Sequence, residues 1–201
     1  MTAITSRYTR AVEYAREAHA NQTRKCTSIP YIAHLLGVSS LVLDYGGDED
    51  QAIAALLHDV VEDQGEHHLS IVRERFGDRV ARIVEACTDG SQAEKAVADT
   101  AEARRENWEF RKKRYLEHLK DEPDEVLLVS GSDKLHNARA VLSDLLDPAV
   151  GRAVFDRFTG RLEGTLWYYR SLANLFSERR APMAAELARV VAVLEAEGRD
   201  P

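Results

Sequence analysis

Apolar residues recur at spacings of three and four positions along almost the whole chain, whereas strictly alternating runs of apolar and polar residues are scarce. Such spacing is typical of amphipathic helices, and alternation would instead indicate strands. The pattern therefore predicts an all-α protein with about eight to ten helices. The predicted helical stretches are residues 4–20, 31–45, 51–63, 68–76, 78–87, 101–120, 124–145, 157–176 and 181–197.

The predicted helix boundaries carry start and stop signals. Pro30 lies where the second helix can begin, and a glycine pair at 46–47 follows its end, which matches the usual places of proline and glycine around helices. Asp48 or Asp50 can cap the third helix, because a short polar side chain there accepts hydrogen bonds from the first turn. We expect that helix to end just before Gly65.

The chain offers little sign of division into domains. The segment from Asp89 to Thr100 is small, polar and weakly periodic, which predicts a mobile loop. No internal repeat, low-complexity tract or long linker rich in proline and glycine is present. We therefore expect a single domain over residues 1–201, with a motif-bearing core over about 20–145 and packing helices over about 148–198.

The amino-acid composition indicates a globular protein and argues against some classes of function. With 44% hydrophobic residues the 201-residue chain can bury a substantial core, as a globular protein does. Its formal net charge of -7 argues against broad nucleic-acid binding, because that affinity comes from clustered Lys and Arg. An acidic chain that handles a phosphorylated ligand has to concentrate its positive charge at the site.

Location follows from the N-terminus, the cysteines and the absence of long apolar runs. Arg7, Arg10 and Glu13 stand where a signal peptide needs an unbroken apolar segment, and no apolar run is long enough to span a bilayer. Cys26 and Cys87 lack the close spacing of zinc ribbons or redox pairs. These features predict a cytoplasmic protein with free thiols and no membrane partner.

The stretch ALLHDVVEDQG, residues 55–65, concentrates ionisable side chains at the end of an apolar run. On a helix Glu62 lies one turn beyond His58, and Asp63 lies one turn beyond Asp59. Three carboxylates buried together would repel one another and would be costly to desolvate. A divalent metal ion resolves this conflict, because it supplies positive charge to imidazole nitrogen and carboxylate oxygen at once.

Two further segments offer matching ligands. His34 lies in PYIAHLLGV and Asp133 in LLVSGSDKLHNA, both among small or apolar neighbours. Each residue also has a structural interpretation: His34 as a hydrogen-bonded core histidine, Asp133 as a cap or ion-pair partner, and the pair Glu62 and Asp63 as the solvated end of a helix. Residue spacing alone leaves a metal site and these alternatives open.

The same segments resemble a known family. Histidine, His-Asp and Asp ligands spaced along helices are similar to the HD superfamily of metal-dependent phosphohydrolases. More narrowly, RKCTSIPYIAHLLGV, AALLHDVVEDQG and VSGSDKLHNAR resemble the linked motifs of RelA/SpoT-type alarmone hydrolases. The resemblance covers residues 1–178 and implies an HD-type helical bundle. It further implies a stand-alone small alarmone hydrolase, with no room for the synthetase domain of the long members.

The resemblance also implies roles for individual residues. It implies metal ligands at His34, His58, Asp59 and Asp133, usually with Mn²⁺, and a catalytic pair at Glu62 and Asp63. It implies nucleotide contacts at Arg24, Lys25 and Asn137. Lys134 and Arg139 are further candidates for phosphate binding, although exposure on a helix face explains them equally well. Cys26 stands near where the family commonly has Gly or Ser. The linker before Pro30 is one residue longer than in the long enzymes, which leaves open whether Arg24 or Lys25 contacts the base.

The implied reaction is the metal-dependent removal of pyrophosphate from the 3′ position of ppGpp or pppGpp, giving GDP or GTP. Two alternatives stay open: an HD phosphohydrolase for (p)ppApp, NADPH or a nucleoside monophosphate, and a non-catalytic nucleotide-binding sensor. A small-molecule nucleotide is the expected partner, without nucleic acid. The sequence leaves open a homo-oligomer, the base preference, the metal bound in the cell and the regulation.

Overall fold

The computed structural model describes residues 3–89 and 100–199. Within these ranges the regular structure is helical, with an isolated antiparallel bridge between Thr23 and Pro30 as the one β-type pairing. The predicted all-α fold class is confirmed. The loop predicted between Asp89 and Thr100 lies, apart from its two end residues, outside the described part of the chain.

The helices follow the predicted segments closely, with small shifts at their ends. In chain order they are α1 Ser6–Ala18, α2 Ile32–Asp44, α3 Glu49–Leu57, α4 Val60–Gln64, α5 His67–Phe76, α6 Asp78–Cys87, α7 Ala101–Asp121, α8 Asp124–Leu146, α9 Arg161–Glu178 and α10 Ala184–Arg199, with a 3₁₀ helix at Gly151–Arg157 before α9.

The chain forms two compact units. The first unit comprises Met1–Glu94 and Glu122–Asp133, and the second comprises Lys95–Asp121 and Lys134–Pro201. Helices α1 to α6 and the beginning of α8 belong to the first unit. Helices α7, α9 and α10, the 3₁₀ helix and the rest of α8 belong to the second. The single domain expected from the sequence remains a prediction.

Helix α3 is the centre of the first unit. Every residue from Ala52 to Leu57 is fully buried, as expected for a helix that is apolar on all sides. It packs against α1, α2, α5 and α6. Because α3 is held from several sides, the residues at its C-terminal end are fixed in place.

The predicted third helix, residues 51–63, is divided in two. Helix α3 ends at Leu57, His58 and Asp59 form a turn, and α4 begins at Val60. The backbone N–H of Asp63 still donates to the carbonyl of Asp59 at 2.9 Å, so one-turn spacing is kept beyond the break. Gly65, with a φ of 115°, ends α4 as predicted.

Asp48 is the N-cap of α3. Its carboxylate accepts from the backbone N–H of Gln51 at 3.0 Å, and the Gln51 side chain accepts from the Asp48 N–H at 3.0 Å. Arg79 of α6 bonds the same carboxylate at 2.6 Å and bonds Glu125 of α8 at 2.8 Å. Partial burial opposes ionisation, but the Gln51 N–H and the Arg79 guanidinium hold the pKa of Asp48 below its ordinary value.

We expect Asp48→Ala to lower the free energy of unfolding by about 1 kcal/mol at pH 7, the usual effect of losing a cap. Asp48→Asn keeps a capping oxygen and loses the charge facing Arg79, so its loss should be smaller. Because the pKa of Asp48 is depressed, the charge contribution is present above about pH 4 and is lost as pH falls through the folded-state pKa. Urea unfolding at several pH values measures this, and a gap between wild type and Asp48→Asn that persists in acid would contradict it.

In the second unit α9 packs against α7, α10 and the 3₁₀ helix. The indole of Trp108 on α7 lies against two glycines at the start of α9. An added Cβ would lie 2.6 Å from the Trp108 ring at Gly160 and 3.1 Å from it at Gly164. These glycines therefore allow a close approach of indole and helix backbone.

We expect Gly160→Ala to destabilise the protein by about 1–3 kcal/mol, because the methyl group overpacks the contact with Trp108. The loss should shrink in a Trp108→Leu background, where the indole is absent. Thermal unfolding of the four proteins measures the coupling between the two sites. Equal losses in both backgrounds would show that the indole contact is not the cause.

Within the described ranges, no helix combines the length and the apolar character that crossing a membrane requires.

Candidate functional site

Three of the predicted metal ligands meet in the first unit. His34 lies on α2, His58 follows the end of α3, and Asp59 precedes α4. One ligand atom from each of these residues lies within 4.8 Å of the other two. His58 Nε2 is 3.0 Å from Asp59 Oδ2, and the two imidazole rings meet edge to face with centroids 5.3 Å apart.

The fourth predicted ligand, Asp133 of α8, reaches the same place. Its Oδ1 lies 3.2 Å from His34 Nε2 and 3.6 Å from His58 Nε2. His34, His58 and Asp133 are each less than 5% exposed. The structure thus brings all four predicted ligands together in a nearly buried cluster, drawn from three separate stretches of the chain.

The orientation of His58 suits a metal ligand. Its Nδ1 lies 2.8 Å from the carbonyl oxygen of Ala55, and because a carbonyl only accepts, Nδ1 carries the hydrogen. In the neutral ring, Nε2 then keeps the lone pair that a metal requires. This buried atom lies 3.0 Å from Asp59 Oδ2 and 3.6 Å from Asp133 Oδ1, so its lone pair would face carboxylate oxygens, a repulsion that a bound cation relieves.

The pKa shifts of His58 and Asp59 also indicate that this cluster stabilises a positive charge. Burial opposes protonation of His58, but the charges of Asp59 and Asp133 outweigh it and hold the pKa of His58 well above its ordinary value. Burial likewise opposes ionisation of Asp59, yet His58 and His34 hold its pKa well below the usual range. The buried carboxylates thus retain a compensating positive charge. Two imidazole nitrogens and two carboxylates fit a divalent metal ion.

Tyr31 supports this cluster from the side. Its hydroxyl donates to Asp59 Oδ2 at 2.6 Å. Burial, followed by the charges of Asp59 and Asp63, raises the pKa of Tyr31 far above its usual value, so the phenol remains a donor at ordinary pH. The hydrogen bond connects Tyr31 directly to a candidate metal ligand.

Glu62 and Asp63 lie on α4, directly after the cluster. The Asp63 carboxylate accepts from the side-chain amide of Gln22 at 2.7 Å, and the Glu62 carboxylate accepts from the backbone N–H of Asp89 at 3.0 Å. Both side chains are partly exposed. Hydrogen bonds therefore hold each carboxylate in place, while part of each side chain stays accessible to solvent.

Sequence spacing missed three polar residues that surround Asp63: His19, Gln22 and Gln64. The Gln22 carbonyl oxygen lies 2.7 Å from Gln64 Nε2 and 2.8 Å from His19 Nδ1. A histidine at the end of an amphipathic helix, three residues before a glutamine, was the signal available in the sequence. It did not reveal a contact with α4, about forty residues away.

Arg24 and Lys25 lie in a tight loop between α1 and α2. The Arg24 N–H donates to the carbonyl of Ile29 at 2.9 Å, and the carbonyl of Arg24 accepts from the Thr27 N–H at 3.0 Å. Cys26 adopts a φ of 58°, a left-handed conformation that favours glycine. This backbone conformation explains why glycine suits the position that Cys26 occupies.

Three predicted substrate residues belong to the part of α8 in the second unit. Lys134 Nζ lies 5.0 Å from the centre of the Tyr115 ring, and Arg139 Nε donates to Glu186 at 2.9 Å. Asn137 is half-buried. The observed contacts give Lys134 and Arg139 structural roles in the second unit, and substrate contact by these three residues stays a prediction.

Comparison with known proteins identifies a matching family and several similar sequences. The sequence profile of the HD domain matches residues 11–162. The chain is 31% identical over 211 positions to a probable guanosine-3′,5′-bis(diphosphate) 3′-pyrophosphohydrolase of Synechocystis, an alignment covering 95% of this chain and 27% of that protein. It is 36% identical to the guanosine-3′,5′-bis(diphosphate) 3′-pyrophosphohydrolase MESH1 of Xenopus tropicalis, over 64% of this chain and 66% of MESH1.

A solved structure extends the comparison to the fold. A metazoan ortholog of SpoT, described as hydrolysing ppGpp, matches with a TM-score of 0.59 and 24% identity, covering 89% of this chain and 98% of that one. Such a likeness shows a shared fold. The profile match over residues 11–162, which is more than half of the chain, shows the family. The chain belongs to the HD domain family.

Proposed function

We propose that this chain is a metal-dependent phosphohydrolase that removes pyrophosphate from the 3′ position of ppGpp and pppGpp, giving GDP and GTP. One observation carries the chemistry: His34, His58, Asp59 and Asp133 converge directly before an α4 turn that bears two carboxylates. The names of the Synechocystis and Xenopus relatives support the substrate. We therefore propose a small-molecule nucleotide as the partner of this chain.

The four clustered residues would hold the metal ion, for which we propose Mn²⁺. Imidazole nitrogen and carboxylate oxygen together are ligands that Mn²⁺ accepts. When bound, the ion supplies positive charge that makes water more acidic and neutralises a phosphoryl oxygen. Tyr31, through its hydrogen bond to Asp59, keeps that carboxylate oriented toward the two histidines.

Glu62 and Asp63 form the acid/base element in this proposal. A carboxylate beside the reacting water can accept its proton as the bond to phosphorus forms, and can later return a proton to the leaving 3′ oxygen. The Gln22 amide and the Asp89 N–H hold the two groups in defined positions. Helix α4 directly follows His58 and Asp59. Two of the candidate metal ligands and the proposed acid/base pair therefore lie in one short stretch of the chain.

The nucleotide phosphates require positive charge, which an acidic chain has to supply locally. We propose Arg24 and Lys25 for this purpose, because their loop directly follows Gln22, the partner of Asp63. Asn137 is proposed to line the nucleotide pocket. Arg139 would first have to leave Glu186, so we assign Lys134 and Arg139 secondary parts in phosphate binding.

Product analysis tests the proposal. Metal-stripped protein is supplied with Mn²⁺, incubated with ppGpp, ppApp, NADPH or a deoxynucleoside monophosphate, and the products are separated by anion exchange. We expect GDP and intact pyrophosphate from ppGpp. Turnover of another nucleotide alone would discard the substrate and keep an HD phosphohydrolase; inertness toward all four would contradict the enzymatic function and favour a nucleotide-binding sensor.

A further inference from the structure

The carboxylate of Asp63 belongs to a small network of hydrogen-bonded polar side chains. The Gln22 side chain is its centre, with Nε2 placed 2.7 Å from Asp63 Oδ2 and Oε1 placed 2.7 Å from Gln64 Nε2. His19 Nδ1 lies 2.8 Å from the same Gln22 oxygen. Two of these residues precede the loop of Arg24 and Lys25, and Gln64 immediately follows Asp63.

Chemistry fixes the direction of these hydrogen bonds. An ionised carboxylate only accepts, so the Gln22 amide group must face Asp63 with its NH₂. Its carbonyl oxygen then faces two donors, the Gln64 amide and the His19 Nδ1–H. Gln22 is thus held at its oxygen by two groups while it donates to Asp63, and a flipped amide would place donors against donors.

His19 links this network to the candidate ligands. Its ring stacks on Tyr31, with centroids 5.2 Å apart and an angle of 26° between the planes, and Tyr31 donates to Asp59. The backbone N–H of Tyr31 also donates to the carbonyl of Gln22 at 2.9 Å. His19 is 3% exposed, and its Nε2 makes no hydrogen bond with any described residue.

Such a buried, incompletely paired imidazole has an energetic cost. At the C-cap of α1, where His19 lies, an apolar side chain could pack on Tyr31 equally well, but it could not donate a hydrogen bond to the Gln22 oxygen. The contacts that His19 does make therefore indicate why a polar ring occupies this position.

We propose that Gln22 is a positioning residue that sets the orientation of the Asp63 carboxylate, with His19 and Gln64 holding Gln22 in turn. The proposal rests on the proposed acid/base role of Asp63. Gln22 acts through Asp63 and not on the substrate. Removing it is expected to slow the chemical step and to leave nucleotide and metal binding unchanged.

The first test is kinetic. Gln22→Met keeps the length of the side chain and removes its three hydrogen bonds, and Asn21→Met makes a matched change at an exposed neighbour. We expect Gln22→Met to lower kcat about tenfold to 100-fold, as the loss of a hydrogen bond to a charged group predicts, with KM within about twofold of wild type. Asn21→Met should behave as wild type. A change confined to KM, or an unchanged kcat, would overturn the proposal.

The second test separates positioning from general structural support. In an Asp63→Asn background Gln22 has lost the charged partner that it orients, so Gln22→Met should lower the remaining kcat far less than it does in wild type. Equal factors in both backgrounds would overturn the proposal. At the next position in the network, His19→Asn can still donate to Gln22 and should retain more kcat than His19→Phe, which keeps only the stacking.

The orientation of Asp63 can be measured without substrate, so the positioning role is tested independently of the proposed function. Crystal structures of wild type and Gln22→Met, each soaked with Mn²⁺, should show the Asp63 carboxylate in one orientation in wild type and in a different or mixed orientation in the variant. An unchanged, equally ordered Asp63 would overturn the positioning role. Failure of the proposed function would instead appear as wild-type protein that does not hydrolyse ppGpp, whatever the Asp63 orientation.

Discussion

Asp59→Ala is expected to abolish ppGpp hydrolysis and to lower the affinity for Mn²⁺ by at least about 100-fold, since even loss of a group behind a ligand costs up to that factor. Asp59 contributes to the cluster directly, with Oδ2 at 3.0 Å from His58 Nε2. Its removal leaves one fewer carboxylate to hold the ion. Metal content after dialysis, measured by elemental analysis together with turnover, checks both effects.

Two further variants make this result interpretable. Asp44→Ala changes an exposed aspartate at the end of α2 and should keep both metal and activity. Asp59→Asn keeps the shape of the side chain and an oxygen that can accept from Tyr31, so it should fold like wild type and still lose the ion. Full metal occupancy in Asp59→Asn and Asp59→Ala would mean that the ion, if bound, is held elsewhere.

The second large effect concerns the carboxylate pair. The double variant Glu62→Gln, Asp63→Asn should lower kcat about 100-fold to 10,000-fold, the range that general acid/base catalysis contributes. Metal content should not change, because neither residue belongs to the four-residue cluster. Steady-state kinetics at saturating Mn²⁺, with the metal content measured on the same samples, separate the two properties.

Glu66→Gln supplies a nearby control for this double variant, because Glu66 is an exposed acid just before α5. It should retain wild-type kcat. If the double variant also kept wild-type turnover while holding its metal, the acid/base assignment of Glu62 and Asp63 would be wrong.

Much of the fold was predictable from local sequence patterns. Pro30, Gly65 and the acidic cap before α3 are short-range signals, and each marks a helix boundary in the structure. The convergence of His34, His58, Asp59 and Asp133 was implied by the resemblance to the HD superfamily, whereas residue spacing alone left it open. Small or apolar neighbours indicated that these polar groups point inward, but they did not indicate which groups meet.

The break between α3 and α4 was not predictable in this way. His58 and Asp59 lie in a stretch whose neighbours all tolerate a helix, so local propensity favours continuity. In the folded protein the His58 ring bonds back to the carbonyl of Ala55, and Asp59 Oδ2 lies near His58 and Tyr31. Side-chain contacts from distant segments override propensity here, as is common where a site is built.

The network around Asp63 was hidden for a related reason. Gln22 and Asp63 are 41 positions apart in the chain, and neither residue type points to the other. Only the packing of α1 and the following loop against α4 brings them together. Helical spacing identifies neighbours on one helix, whereas it carries no information about pairs of this kind.

The central claim is that ppGpp hydrolysis depends on a divalent ion held by the four-residue cluster. Titrating metal-stripped wild-type protein with Mn²⁺ while following GDP release from ppGpp tests it most directly. We predict no turnover without metal, a rise that saturates as the site fills, and no rise at the same concentrations for Asp59→Asn. Full turnover by the metal-free protein, or an equal response from Asp59→Asn, would contradict the claim.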